Sequence, residues 1–368
     1  MEENKKDPKK FVILFALVSI VVLACIMTVN YIVDPFFQYR VKDNSYILNP
    51  QFSDAGLIKN YDYNAVVLGS SMVQNYNLEI LKINHPDLSP LKLTLGGLNL
   101  KETKSIDSLI DKNKIHTYII NIDASSFAKD VYKEENRFPA YLFREGLIEH
   151  IQYLLAYETT VRYTPVDIAL GVYLKYETPE NVPKLIRNRT SIDNIGNFGD
   201  LAIYNNAEGV KHEYLYGFAV SSVETENIDA RMKNNLDSTL TFLDIKNHPD
   251  TEYIFVLPPY SALYWFHTGL NRYYNNYKDF IRTFIRETGK YNNTKVLCFY
   301  DLDEITDLNN YSDLTHFNPA MSDKIVENMF TTEYILNTDN VEQRFNKLDS
   351  LVNIFFLENK EWLPKTRK

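Results

Sequence analysis

Between Lys10 and Asp34 the chain carries no charged residue. Such a run is long enough to cross a bilayer as one helix, and nothing else in the sequence constrains the fold so strongly. Lys5, Lys6, Lys9 and Lys10 precede it, a basic flank that favours the cytoplasmic side and leaves the remainder outside. Tyr31, Phe36 and Phe37 follow, where an interfacial aromatic belt is expected. A cleaved signal peptide fits less well, because the run is long and no small-x-small site follows it. Val22-Leu23-Ala24-Cys25 loosely resembles a lipobox, but Leu23 is unusual there and the apolar run continues to Val33. The expected layout is a cytoplasmic basic tail over 1–10, an anchor over 11–33 and a juxtamembrane connector over 34–62. This predicts a single-pass protein of the cell membrane with its main domain extracytoplasmic.

The 368 residues carry a formal charge of -9, which disfavours nucleic acid as a partner. Cys25 lies in the apolar run and Cys298 in an expected strand, so no disulfide is expected. No Cys/His cluster has zinc-ligand spacing and the histidines are scattered, so neither metal nor cofactor is expected.

Short β-branched runs at 64–68, 91–95, 118–122, 253–257 and 295–299 read as buried strands. Helical spacing separates them at 100–114, at 224–244 and along Tyr273, Tyr277, Phe280, Ile281 and Phe284. Asn318 can cap a further helix with Pro319 at its first position. Val341, Phe345, Leu348, Val352 and Phe355 mark a last one before a basic tail, so 336–368 adds a helix beyond the sheet. Alternating strands and helices predict an α/β domain over 63–335 with about five parallel strands. From about 129 to 222 the pattern loosens into a mostly helical insertion. It reads equally as a lid or substrate surface and as a structural extension of the core.

The first strand stops at Gly69-Ser70-Ser71, placing a hydroxyl just past its carboxyl end, where open α/β sheets keep their chemistry. A serine is a poor nucleophile until a base takes its proton. Asp313-Leu314-Thr315-His316, after the last strand and before a helix, offers an imidazole with a carboxylate to fix its tautomer. The bland readings are a turn serine, a loop histidine and a turn aspartate; the order of the motifs along the chain favours the catalytic one.

With Gly69-Ser70-Ser71 first, Gly96-Gly97 after the second strand and Asp313–His316 near the carboxyl end, the chain resembles the SGNH (GDSL-like) hydrolase superfamily. The resemblance spans roughly 64–330 apart from the insertion. It implies a three-layer, flavodoxin-like parallel sheet, with Ser71 as nucleophile, His316 as base and Asp313 as its partner. It further implies an oxyanion hole built from the backbone N–H groups of Ser71 and Gly97, each such donor worth about 3 kcal/mol. Two positions depart from the family pattern. Ser70 stands where an Asp is usual, and Asp123 stands where the family has an oxyanion-hole Asn. An ionised Asp cannot donate. Either Asp123 is protonated, or Asn99 or Asn121 substitutes, or the hole is weaker.

An anchor, an extracytoplasmic SGNH domain and a large insertion together resemble proteins of bacterial envelope acylation. These include the D-alanyl transfer protein of teichoic-acid modification and the SGNH partners of membrane-bound O-acyltransferases. Asn30-Tyr31-Ile32-Val33-Asp34-Pro35-Phe36 and Pro258-Pro259-Tyr260-Ser261 have the flavour of that group. The resemblance implies a serine O-acyltransferase or esterase acting on a glycan or teichoic-acid acceptor, with a membrane-bound O-acyltransferase as partner. The rival is a catalytically idle domain that serves such an acyltransferase as an assembly partner.

Overall fold

The computed structural model describes residues 8–41, 47–131, 137–176, 206–216, 226–270 and 273–363. The polar stretch 188–205, both chain ends and parts of the expected insertion lie outside the described residues.

The first helix, α1 (Pro8–Val33), is long and apolar enough to cross a membrane, and its apolar window is not buried against the protein. Asp34 ends it. This residue takes a left-handed backbone (φ 45) while its N–H still donates to the Asn30 carbonyl at 2.8 Å. Its fully buried carboxylate accepts the backbone N–H groups of Gln38, Tyr39 and Arg40 at 2.9, 2.9 and 3.1 Å. The Tyr153 hydroxyl donates to it at 2.8 Å. Burial raises the Asp34 carboxyl above its ordinary value, and these donors offset only part of that. Phe36 then enters a cluster with Phe52 and Tyr163, ring centroids 4.9 and 5.1 Å away. Part of the stretch expected as a connector is therefore helical and buried. It holds α2 (Pro50–Asn60), with Asn49 as N-cap, Pro50 in the first turn and Phe52 to Ile58 inside.

The sheet follows: β1 (Ala65–Gly69), α3 (Leu78–Asn84), β2 (Pro90–Thr94), α4 (Leu100–Asp107), β3 (Thr117–Asn121) and a short α5 (Ala124–Ala128). The described part of the insertion holds α6 (Leu147–Leu155), a π-helical turn (Glu158–Tyr163), α7 (Thr164–Tyr176) and α8 (Ala207–Tyr216). Next come α9 (Ile228–Leu243), β4 (Glu252–Leu257), α10 (Ala262–Leu270), α11 (Tyr274–Thr288) and β5 (Thr294–Cys298). The last helices are α12 (Pro319–Glu327), capped by Asn318, and α13 (Val341–Asn359).

The five strands are all parallel in the order β2-β1-β3-β4-β5. The expected α/β class, the strand number and the parallel pairing are as observed, each strand within one residue of its predicted place. Right-handed crossovers place helices on both faces, because the chain steps one way from β1 to β2 and the other way from β2 onward. Accordingly α9 packs against α4, α5 and α11, while α3 packs against α12. Val66, Val67, Leu91, Leu93, Ile119, Ile254, Phe255 and Leu297 are fully buried between these layers. The order turns back at β1, between β2 and β3. A parallel sheet opens a crevice at the carboxyl ends of strands where such a reversal occurs.

Candidate active site

Ser71 begins a single turn of 3-10 helix (Ser71–Val73) directly after β1. The turn is tight because β1 ends in glycine. A Cβ on Gly69 would lie 2.7 Å from Val73 Cγ1 and 2.9 Å from Asn121 Cβ, closer than any side chain allows. The Ser70 hydroxyl accepts from the Met72 N–H, and the Ser70 carbonyl accepts from Thr94 Oγ1 at 3.0 Å. Beyond the turn, the ammonium of the fully buried Lys92 donates to the Gln74 and Tyr76 carbonyls at 2.8 Å each. The serine loop is thus tied on both sides to β2.

Across the crevice, residues 311–317 close a tight loop through an antiparallel bridge between Tyr311 and Phe317. Asp313 Oδ1 caps its interior, accepting the N–H groups of Thr315 (2.8 Å) and His316 (2.9 Å). The second oxygen, Oδ2, lies 2.5 Å from His316 Nδ1. His316 Nε2 lies 2.7 Å from Ser71 Oγ. The Pro258-Pro259-Tyr260-Ser261 motif has a structural role here. The Tyr311 hydroxyl donates to the Pro259 carbonyl at 2.7 Å, and Ser261 Oγ donates to the Leu314 carbonyl at 2.6 Å. These bonds dock the loop on the end of β4.

The electrostatics follow from that contact. Burial would raise Asp313, but the hydrogen bond and charge of His316 and the two backbone N–H groups hold it down at about 2. An ionised carboxylate only accepts, so Nδ1 carries the hydrogen and Nε2 is left to accept from the serine. Burial pushes His316 down. The hydrogen bond and charge of Asp313, with the charges of Asp123 and Glu213, outweigh burial and raise it above the ordinary 6.5. Glu213 belongs to α8, whose first N–H, at Ala207, donates to Asn309 Oδ1 beside the same loop. One helix of the insertion therefore borders His316.

The structure gives the expected oxyanion donors different roles. Gly97 is exposed and left-handed (φ 64), as its turn requires. Among the described residues, neither its N–H nor that of Ser71 has a protein acceptor. Asp123 is an acceptor. As N-cap of α5 it takes the Ser125 N–H at 3.0 Å and the Ser125 hydroxyl at 2.7 Å. Asn99 caps α4 by accepting the Glu102 N–H at 2.8 Å. Asn121 is buried beneath the serine turn, its amide without a hydrogen-bond partner. It lines a cavity of about 30 Å³ with Gly69, Ser70 and Asp123.

Three site residues escaped the sequence reading. The Arg137 guanidinium donates to the Gly96 carbonyl at 2.9 Å and the Gly97 carbonyl at 3.0 Å. The fully buried Glu102 holds it in turn through both oxygens, at 3.0 and 2.7 Å. Glu102 three residues after Asn99 is a capping-box signal visible in the sequence, but nothing there points to Arg137. Lys92, inside an apolar strand, was a second visible anomaly. Among the described residues no group of three or more His, Cys, Asp or Glu side chains could hold a metal ion. Compared with known proteins, the chain matches no family model, no curated protein and no solved structure.

Proposed function

We propose that this protein is a membrane-anchored serine acyltransferase or esterase of the SGNH type, working outside the cell membrane. One observation carries the reading: Ser71 Oγ, His316 Nε2, His316 Nδ1 and Asp313 Oδ2 lie in an unbroken hydrogen-bonded line, at 2.7 and 2.5 Å. The serine and the histidine are 245 residues apart in the chain.

The chemistry is acyl transfer in two halves. Ser71 Oγ attacks the carbonyl carbon of an acyl ester while its proton passes to His316 Nε2, and Asp313 steadies the imidazolium. The carbonyl oxygen takes the negative charge and meets the N–H groups of Ser71 and Gly97. Collapse breaks the bond to the leaving alcohol, which takes the proton from His316 and leaves an acyl-serine. His316 then deprotonates the acceptor, which attacks the acyl carbon and restores the free serine. A glycan or teichoic-acid hydroxyl as acceptor gives transfer, with a membrane-bound O-acyltransferase as the partner that feeds the site; water gives hydrolysis. The rival reading, an idle domain that assembles with such an acyltransferase, draws on one observation, that the Asp123 carboxylate accepts where a donor was expected.

Fluorophosphonate labelling of the full chain separates the two. The enzyme reading expects labelling at Ser71, abolished in Ser71→Ala and strongly slowed in His316→Ala. A wild-type chain that resists the probe, together with a Ser71→Ala strain that keeps full envelope acylation, would support the idle domain.

A further inference from the structure

Among the described residues, most large apolar side chains exposed outside α1 lie in residues 147–173; the remainder, Ile83, Leu215, Tyr216, Ile354 and Leu357, are scattered. On α6 these are Leu147, Ile148 and Ile151, the first two about three-quarters exposed (76% and 74%). On the π-turn and α7, Val161, Ile168 and Val172 follow at helical spacing, with Val172 52% exposed. The opposite faces of the same helices are apolar too, with Tyr153, Leu154, Tyr163 and Leu170 buried. α7 is apolar nearly all round, as a helix inside a protein or a membrane is, yet its Ile168 and Val172 face outward; α6 adds Leu147, Ile148 and Ile151 beside the exposed His150 and Gln152.

Its neighbour decides what covers it. Both α6 and α7 pack against α1. Asn30 Nδ2 donates to the Leu154 carbonyl at 2.7 Å and lies 2.8 Å from Thr160 Oγ1. Asn30 sits in the last turn of α1, and a helix over the charge-free stretch is about 35 Å long against a hydrocarbon core of about 30 Å. That turn therefore lies at the membrane boundary, and the Asp34–Tyr153 bond keeps α6 there. The flanking charges Arg144, Arg162 and Lys175 are balanced by Glu145, Glu149, Glu158 and Asp167, so the surface has no basic excess for anionic headgroups.

We infer that α6, the π-turn and α7 form a second membrane element, seated in the headgroup and acyl boundary of the leaflet that α1 leaves, held there by apolar burial rather than charge. The occupant of the exposed face is lipid. The domain is then fixed to the bilayer at two places and keeps one orientation to it. This inference stands apart from the acyl-transfer reading.

The test uses the full chain in phosphatidylcholine vesicles whose acyl chains carry bromine, a contact quencher. Ile168→Trp and Val172→Trp should each lose about half of their added emission relative to unbrominated lipid, equally with phosphatidylglycerol present and at high salt. Ile83→Trp and Leu357→Trp should lose none, the unsubstituted chain giving the background of Trp265 and Trp362. In the unsubstituted chain, a diazirine carried on the lipid acyl chain should label peptides from 147–173 as well as α1. Labelling confined to α1, or emission at 168 and 172 that behaves like that at 83, would overturn the inference. Protection of these positions in native membranes but not in pure lipid would also overturn it, and would assign the surface to a membrane protein.

Discussion

The buried Glu102 carboxylate receives the Arg137 guanidinium at 2.7 Å, and the same guanidinium holds the carbonyls of Gly96 and Gly97. With both carbonyls pinned on the Arg137 side, the intervening Gly97 N–H keeps one direction in the crevice. Arg137→Ala should therefore act on kcat, by about tenfold to a hundredfold, with KM changing little, as expected when a transition-state donor loses its orientation. Arg137→Lys should recover only part, since an ammonium lacks the planar fork. Steady-state kinetics on a chromogenic acetyl ester would check both. Glu102→Ala should additionally destabilise the fold by about 3 kcal/mol, because it strands the Asn99 and Arg137 N–H groups.

Only neutral His316 can take the serine proton, and its pKa lies above the ordinary value. The acid limb of kcat/KM should accordingly fall above pH 6.5. Asp123→Asn removes one of the charges that raise His316 while keeping the α5 cap, so the limb should move to lower pH. The same variant places an amide donor in the crevice and should raise the rate at the plateau. A pH–rate profile that does not move would show that Asp123 does not act on His316.

Folding and pH are linked through the same pair. His316 is raised on folding, so its stabilising contribution is full below 6.5 and is lost as pH rises through the folded value. Asp313 is lowered to about 2, so its contribution is present above 3.8 and is lost as pH falls toward 2. Asp313→Asn should flatten the melting temperature across both windows and lower activity by about four orders of magnitude through the wrong tautomer. Thermal melts from pH 2 to pH 9 would check the first, and ester kinetics the second.

Lys92 is buried without exposure, and its ammonium serves the chain just after the nucleophile. Lys92→Met keeps most of the volume but leaves the Gln74 and Tyr76 carbonyls without that donor. The expected loss is about 2 kcal/mol in denaturant unfolding, with slower fluorophosphonate labelling of Ser71.

Gly69→Ala should be worse for the site than for the fold. The added methyl group meets Val73 and Asn121 within 3 Å, an overpacking worth about 1–3 kcal/mol. The strain falls on the turn that aims Ser71, so labelling should slow by more than the melting temperature suggests.

How much of this was legible depended on the range of the signal. The strands were readable because β-branched runs such as Ala65-Val66-Val67-Leu68 are buried on both faces and bounded by turn residues. Ser71, Asp313 and His316 were readable because each lies in a local motif at a strand or helix end. Arg137 was not, because it meets Gly97 across 40 residues and has no periodic or motif context. The short α10 hid in the aromatic run Ala262–Leu270, whose apolar pattern fits a buried strand as easily as a helix. The 34–62 stretch concealed α2 because its helix is buried nearly all round and shows no polar face. The insertion read as either lid or extension, and its described parts divide: α8 borders the His316 loop, whereas α6 and α7 attach to α1.

The 245 residues between Ser71 and His316 also set an order of events in the life of the chain. Ser71 is synthesised early, in the turn that follows an interior strand of the sheet. The histidine comes after β5, which lies at the far edge of that sheet, and bonds to the segment just past the end of β4 seat its loop. Until β4 and β5 are docked, the serine hydroxyl has no imidazole beside it. On the proposed acyl-transfer reading, a growing or truncated chain would acylate nothing, and reactivity toward esters would itself report that the domain has been completed and folded.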